Sequence, residues 1–481
     1  MVRTVNERKT APLPNPEYLP FLSVSEREAI GKQLRDEVPL ERHAECSALP
    51  ERADPIDILE EQASLRSPDL VPIRHGRMAS SAFAFYRGGT AIMAGDLASS
   101  PTATLRAQLC GDAHLLNFGI FETPERNLIF GINDFDETIP GPIDWDVKRL
   151  AASVEIAGRD LGFDHAGRRE AVRATVRSYR QSMLEFAAQR TVDVWYAKLP
   201  AKQLCDRLAD LADRRSSKEA VRRVRQALNR DHLRAFDRLV VETDQGARFL
   251  NRPPVLTPIE ELLDDEQRAR FVDVVREFLQ QYRASLTPDR RVLIESYRFE
   301  HMARKVVGVG SVGTRCWVVL LVGRDHSDPL LLQLKEAQAS VLAPFAGPTL
   351  CKTNGQRVVE GQRLMQAASD SMLGWYQVNA WDGRSHDFYV RQLWDGKASI
   401  DVARLSPKGL RVYGESCGWT LARGHARSGD RIAMAAYLGH SELFDDAVTS
   451  FSADYADQNE SDHRRFIEAV ESGRLEAKLG V

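Results

Sequence analysis

Cysteine is sparse in this chain of 481 residues. The six that occur (46, 110, 205, 316, 351 and 417) form no CxxC pair and no ladder of close spacings. That excludes a disulfide scaffold or a structural zinc knuckle and predicts a reducing, cytoplasmic setting. Long apolar runs are also missing: those present, such as 317–322, fall well short of the roughly 20 residues a membrane span needs. The N-terminus, MVRTVNERKTAPLPNPEYLP, has no apolar stretch of the kind a signal peptide carries. There is no excess of either charge. With 65 basic and 68 acidic side chains the net charge is −3, so no global basic field draws the protein to nucleic acid or to an anionic membrane. The basic stretch 214–234 lacks interleaved aromatics for base stacking and reads as a solvated helical face. What is present is a hydrophobic content of 43%, enough for a sizeable core. The length suits two or three domains, or one large two-lobed domain.

The texture changes along the chain. Residues 1–70 read as an N-terminal helical arm, with Ser25 as a candidate cap for a charged helix over 25–38. From 71 to 146, Gly, Asp and aromatic residues break the apolar runs into pieces too short for long helices. From 147 to about 291 the pattern is helical, with apolar residues three and four apart over 170–189 and 266–285. Residues 303–400 read as strands at 306–309, 316–322, 330–334, 375–378 and 388–393, interrupted by one helix over 355–368. From 410 the pattern is helical to the end, and no repeat of solenoid period occurs.

Three constellations carry chemistry. The first is GDAHLLN, residues 111–117. Phosphoryl transfer needs a carboxylate to orient or deprotonate an acceptor hydroxyl, and a neutral amide oxygen beside it to hold a metal without added charge. Asp112 and Asn117, five residues apart in one tight loop, supply that pair; the competing reading is an Asx turn serving only its own backbone. The second is NDFDE, 133–137, at the end of the apolar run 128–132. A strand delivering Asp134 and Asp136 makes a hard-oxygen site suited to Mg²⁺ or Mn²⁺; an acidic surface turn is the alternative. Asp146, opening the next helical stretch, is placed to cap it and to bond back to the loop of Asp112.

The third is VVGVGSVGT, 306–314, which holds Gly308, Gly310, Ser311 and Gly313. In a dinucleotide-binding unit such glycines close a strand and open a helix. Here the next residues, CWVVLLV, are strand-like, so the element reads as a hairpin. A hairpin suits a flap whose N–H groups cover nucleotide phosphates, and it argues against a Rossmann fold. The following run, PLLLQLKEA, ends in Lys335, one of only about a dozen lysines among the 65 basic residues. A lysine there holds the α- and β-phosphates of ATP if an acidic residue on the following helix orients it. Glu360 is the first candidate for that partner and Glu336 the second; an ordinary snorkelling lysine is the competing reading.

In the stretches RHGRM (74–78), FYRGG (85–89), GDAHLLNFG (111–119), NDFDETIPGPIDWDVKRLAAS (133–153) and YADQ (455–458), the chain resembles the bacterial family catalogued as domain of unknown function 2252. At fold level GDAHLLN resembles the catalytic loop, HGDxHxxN, of aminoglycoside and choline kinase-like phosphotransferases. That resemblance implies Asp112 as catalytic base, Asn117 and Asp134 as metal ligands with Asp136 assisting, and His114 and Asp146 as structural support. LARGHA, 421–426, resembles a helix common in the same superfamily. Two residues depart from the pattern: Cys110 stands where the superfamily has His, and Asp136 where it has Gly. The order departs too. The glycine flap and its lysine follow the catalytic loop by about two hundred residues, and no lysine lies between 49 and 148 to replace Lys335. The arrangement implied is an α+β, two-lobed protein kinase-like fold, circularly permuted, with an antiparallel-sheet small lobe and a helical large lobe. The large lobe takes 71–300, with a helical insertion near 190–260; the small lobe takes 301–400, and the helices of 401–481 complete the large lobe. Permutation is tolerable because contacts, not chain order, define a packed core.

The expected activity is an ATP- and Mg²⁺- (or Mn²⁺-) dependent transfer of phosphate to a hydroxyl of an unidentified small molecule or protein. The expected partners are the nucleotide and that acceptor, with no nucleic acid and no membrane; the motifs carry no information on oligomeric state. Arg74, Arg77 and Arg87 form a candidate anion site, or else structural ion pairs to Asp96, Asp134 or Asp136. Two alternatives use the same residues. One is a nucleotide-binding pseudokinase or an adenylyl-transferring enzyme. The other is a metal-dependent hydrolase built on Asp112, His114 and Asp134, which leaves the flap and Lys335 unexplained.

Overall fold

The computed structural model describes residues 22–46, 52–210, 232–244, 246–306, 312–379, 384–393 and 398–480. The architecture is mixed α+β, and its sheets are antiparallel. Among the described residues the largest sheet has six strands, in the spatial order Gly374–Asn379, Ser385–Gln392, Pro329–Glu336, Cys316–Val322, Arg298–Lys305 and Leu256–Pro258. Cys316–Val322 and Pro329–Glu336 are near-continuous apolar runs because both faces of the sheet are covered. On one face Leu330, Leu332 and Leu334 pack against Phe278 and Tyr282 of helix Asp265–Ser285. On the other, Val318, Leu320 and Leu331 pack with Leu239 and Phe249.

Arg298–Lys305 and Cys316–Val322 pair as the two arms of a hairpin. Of its predicted flap residues, Gly308, Gly310 and Ser311 lie outside the described residues, as does most of the basic stretch 214–234. Gly313 is described, with φ +91°. Three pieces of sheet among the described residues fall where the sequence reads as helix: the two-residue strand Leu199–Pro200, the hairpin Val240–Thr243 with Gly246–Phe249, and the edge strand Leu256–Pro258. Three- and four-residue strands are too short to show alternation.

The larger core is helical. Helix Ile143–Asp160 is buried along nearly its whole length. Helices His165–Ala188 and Pro407–Ser428 approach so closely that a Cβ on Gly414 or Gly418 would overlap Thr175. Tyr179, Leu421, Phe451 and Val154 share this core, so late helices close the same interior as early ones. Helix Val24–Glu37 is capped by Ser23, not Ser25, in a capping box with Glu26. It docks on the segment 430–437, where Arg27 binds Asp430 and Gly31 meets Ala433. Among the described residues no helix is long and apolar enough to cross a membrane.

Candidate active site

Two loops leave the ends of paired strands and touch. Strand Arg106–Leu109 pairs with Ile139–Pro142, and Phe118–Glu122 pairs with Leu128–Ile132. Residues 110–117 link the first strand of each pair, and residues 133–138 link the second. Gly111 has φ +84°, and a Cβ on it would overlap the Glu137 carbonyl, so both the turn and the close approach require glycine there. Asn117 donates from Nδ2 to the Asp112 carbonyl (2.7 Å), while its own carbonyl accepts from Asn133 N–H (2.8 Å). The amide side chain thus fixes the Asp112 loop and its backbone fixes the acidic loop.

Asp146 lies in the first turn of helix Ile143–Asp160 and does not cap it, because the helix begins three residues earlier. Its carboxylate bonds back to the Asp112 loop, accepting from Cys110 N–H (2.8 Å) and Gly111 N–H (3.0 Å). His425, in the helix carrying LARGHA, donates from Nε2 to Asp146 (3.2 Å) and accepts at Nδ1 from Tyr179 (2.9 Å). A residue near the C-terminus therefore steadies a loop near residue 110.

Asp112 is held by a residue the sequence reading passed over. Arg149, one helical turn past Asp146, sets Nε and Nη2 each 2.9 Å from Asp112 Oδ1. Its Nη2 also reaches the Tyr86 carbonyl (2.8 Å) and Thr90 Oγ1 (3.1 Å), and its guanidinium stacks on Tyr86 at 3.8 Å. Burial disfavours the charged Asp112, but His114 and Arg149 outweigh it and hold the carboxyl below its usual range. His114 accepts Leu116 N–H at Nδ1 (3.1 Å), so Nε2 carries the proton toward Asp112 Oδ2, 3.6 Å away. Burial takes its pKa down to about 4, leaving it neutral at pH 7.

The sheet meets these loops through Lys335. Its Nζ lies 2.7 Å from Asp136 Oδ2 and 3.8 Å from Asp134 Oδ2. Tyr389, directly opposite on the neighbouring strand, donates to Asp136 Oδ1 (2.6 Å). Arg391, two residues along, donates to the Asn133 carbonyl (3.2 Å). Burial alone would neutralise Lys335, yet Asp134 and Asp136 drive its pKa well up. Burial and the neighbouring Asp136 charge push the Asp134 carboxyl up. Burial also works against ionised Asp136, but Lys335 and Tyr389 overcome it and keep that carboxyl low.

Lys335 is thus oriented by the acidic loop and not by the helix that follows it. Glu360 lies on the exposed side of helix Asn354–Met365, where it accepts from Gln356 (2.7 Å) and Cys351 (3.4 Å). Glu336 points to the opposite face of the pleat, where it binds Arg315 (3.0 Å) and His386 (2.8 Å). Adjacent strand residues face opposite ways, so the second candidate was excluded by geometry. The helix does hold the acidic loop, but through Arg357, which donates to the carbonyls of Thr138 (2.6 Å), Asp136 (2.9 Å) and Gln338 (2.7 Å).

The arginine motifs sit behind the Asp112 loop. Arg74 and Arg87 make no ion pair among the described residues; Asp96 is taken by Arg52 instead (2.6 Å). Arg77 follows on the same helix as Arg74, half-buried. Among the described residues no group of three or more His, Cys, Asp or Glu side chains forms a metal cluster. Magnesium takes one or two carboxylates plus substrate phosphates and does not need one.

A family model described as "Uncharacterized protein conserved in bacteria (DUF2252)" matches residues 66–469. No curated protein and no solved structure gives a significant match.

Proposed function

The chain belongs to this DUF2252 family, and we propose that it is an ATP- and Mg²⁺-dependent phosphotransferase acting on a hydroxyl, built on a circularly permuted kinase-like fold. One observation carries the reading. A lysine on a late sheet strand and two aspartates on an early loop meet in one place, with Lys335 Nζ 2.7 Å from Asp136 and 3.8 Å from Asp134. A cation and carboxylates converging on one point are what a metal-bound polyphosphate needs. The mixed α+β architecture with an antiparallel sheet, and late helices sharing the core of early ones, are consistent with the permuted arrangement.

The donor set suits magnesium. Among the described residues Asp134 Oδ1 accepts only the Asp136 N–H of its own loop (3.1 Å), and Oδ2 has Lys335 at ion-pair distance. Burial and the adjacent Asp136 raise the Asp134 pKa against Lys335 and Arg391, and a cation bound at Asp134 would favour its ionised form. Bound Mg²⁺, held by Asp134 and Asn117, would neutralise charge on the transferring phosphate oxygens. Asp136, with both oxygens engaged by Lys335 and Tyr389, serves to orient the lysine.

In this mechanism Lys335 binds the nucleotide phosphates. Asp112, ionised and fixed through Oδ1 by Arg149, presents Oδ2, with His114 Nε2 3.6 Å away, to the acceptor hydroxyl. The acceptor oxygen forms a bond to the γ-phosphorus as the bond from that phosphorus to the β-bridging oxygen breaks. ADP leaves with the electron pair, and the hydroxyl proton passes to Asp112. A carboxylate of low pKa is a weak base, so its contribution is mainly orientation, which a loose transition state requires.

The test is ATP binding to the purified protein with and without Mg²⁺, followed by transfer from γ- and α-labelled ATP. Mg²⁺-dependent binding that Lys335→Met abolishes, with transfer of the γ label only, supports the proposal. Indifference to ATP refutes it, α-label transfer replaces it with adenylylation, and unchanged transfer by Asp112→Asn removes the assigned base.

A further inference from the structure

Beside the Asp112 loop lie two arginines, one buried and one half-buried, that make no ion pair among the described residues. Arg74, in helix Val71–Met78, is 1% exposed. Its Nη2 donates to Gln62 Oε1 (3.1 Å) and the Gly88 carbonyl (2.8 Å), but among the described residues Nε and Nη1 have no partner. Arg87, in helix Ala82–Gly88, is half-buried with an unpartnered Nε, and among the described residues its guanidinium makes no hydrogen bond or ion pair. The two are tied together, since Arg74 binds the carbonyl of the residue after Arg87. A third arginine, Arg66, is near enough to Arg74 for like-charge repulsion, and binds the Val312 carbonyl (2.6 Å).

A fold that buries guanidinium groups normally supplies carboxylates, because an unpaired buried charge is strongly unfavourable. Here the nearby acids are committed elsewhere: Asp96 to Arg52, Asp136 to Lys335, and Asp112 to Arg149. The missing negative charge is therefore one that a ligand brings. Two guanidinium groups with several free N–H donors match a phosphate dianion better than a single carboxylate, which supplies one charge. The position favours the acceptor over the nucleotide. Arg87 interacts with Asp112 and His114, whereas Lys335 interacts with Asp134 and Asp136.

We propose that Arg74 and Arg87 form a phosphate subsite next to Asp112, so that the acceptor is a phosphorylated molecule carrying the reactive hydroxyl. The word acceptor rests on the phosphotransferase reading; the anion site does not. The experiment is calorimetric titration of inorganic phosphate into wild type, Arg87→Met, Arg87→Lys and Lys335→Met, each with and without a saturating non-hydrolysable ATP analogue and Mg²⁺. One phosphate should bind wild type and Lys335→Met, and remain bound to wild type with the analogue present. Affinity should fall about tenfold or more in Arg87→Met and return in part in Arg87→Lys. Arg74→Met repeats the test if circular dichroism shows it folded. Phosphate uptake by Arg87→Met equal to wild type, displacement of phosphate by the analogue, or no uptake by wild type at millimolar phosphate each overturns the subsite. If the analogue fails to bind while the Arg87 dependence holds, the subsite stands and the kinase reading falls.

Discussion

Lys335 and Asp136 are 199 positions apart in the chain and 2.7 Å apart in space, with Tyr389 closing the other side of the carboxylate at 2.6 Å. This pair fastens the sheet to the acidic loop.

Removing either member of that pair takes from the other its nearest opposite charge, leaving Lys335 to Asp134 at 3.8 Å, or Asp136 to Tyr389 at 2.6 Å. Lys335→Met and Asp136→Asn should each destabilise the protein by about 3–5 kcal/mol, with the double variant costing clearly less than the sum. Urea denaturation of the four proteins checks this. Additive losses would mean that the two groups do not interact in solution.

Arg149 holds Asp112 ionised, so Arg149→Met should raise the Asp112 pKa, which burial then governs. The acid limb of the kcat/KM profile should move to higher pH, with KM for ATP little changed. Asp112→Asn itself should lower kcat on the order of 10²- to 10⁴-fold. An acid limb that stays in place in Arg149→Met would show that Asp112 is not the group titrating.

Glu137 should make stability depend on pH. Burial pushes its carboxyl up to about 7, against an ordinary value of 4.5. The folded protein therefore binds that proton more tightly than the unfolded chain. The contribution is full below about pH 4.5 and is lost as pH rises through 7. Glu137→Gln cannot ionise, so relative to wild type it should gain stability between pH 4.5 and 7.5, measured by thermal denaturation across that range. Parallel curves for the two proteins would contradict the raised value.

Helix Asn354–Met365 separates two roles. Arg357→Met abandons three carbonyl acceptors and should cost about 2–4 kcal/mol while weakening ATP binding through the displaced acidic loop. Glu360→Gln should stay within about 0.5 kcal/mol of wild type and leave ATP affinity unchanged. Loss of ATP binding in Glu360→Gln would restore it as the partner of Lys335.

Much of the fold was legible because long elements carry strong periodic signals. The strand Cys316–Val322 and the helices His165–Ala188 and Asp265–Ser285 fall where the apolar pattern puts them. The hairpin at 240–249 and the edge strand at 256–258 did not show, because three or four residues contain too little of any period. The site was legible as types of residue: Asp112, Asn117, Asp134 and Lys335 stand out by spacing and by the rarity of lysine. Their partners were not. Arg149 and Arg357 are two arginines among many, on helices whose buried faces are set by what packs against them. The misplaced expectation for Glu360 came from helical phase. A segment can be read as a helix without knowing which of its sides faces the sheet.

The sequence by itself determined the local grammar: which stretches alternate, which repeat at helical spacing, where a glycine must turn, and which acidic and amide residues share a loop. These properties depend on neighbours a few positions away, and a linear chain records them. Only the tertiary structure decided that Lys335 meets Asp136, that His425 braces Asp146 beside residue 110, and that Arg74 and Arg87 make no ion pair among the described residues. Those contacts come from closure across hundreds of residues, where burial and charge balance select among many partners of the same chemical type.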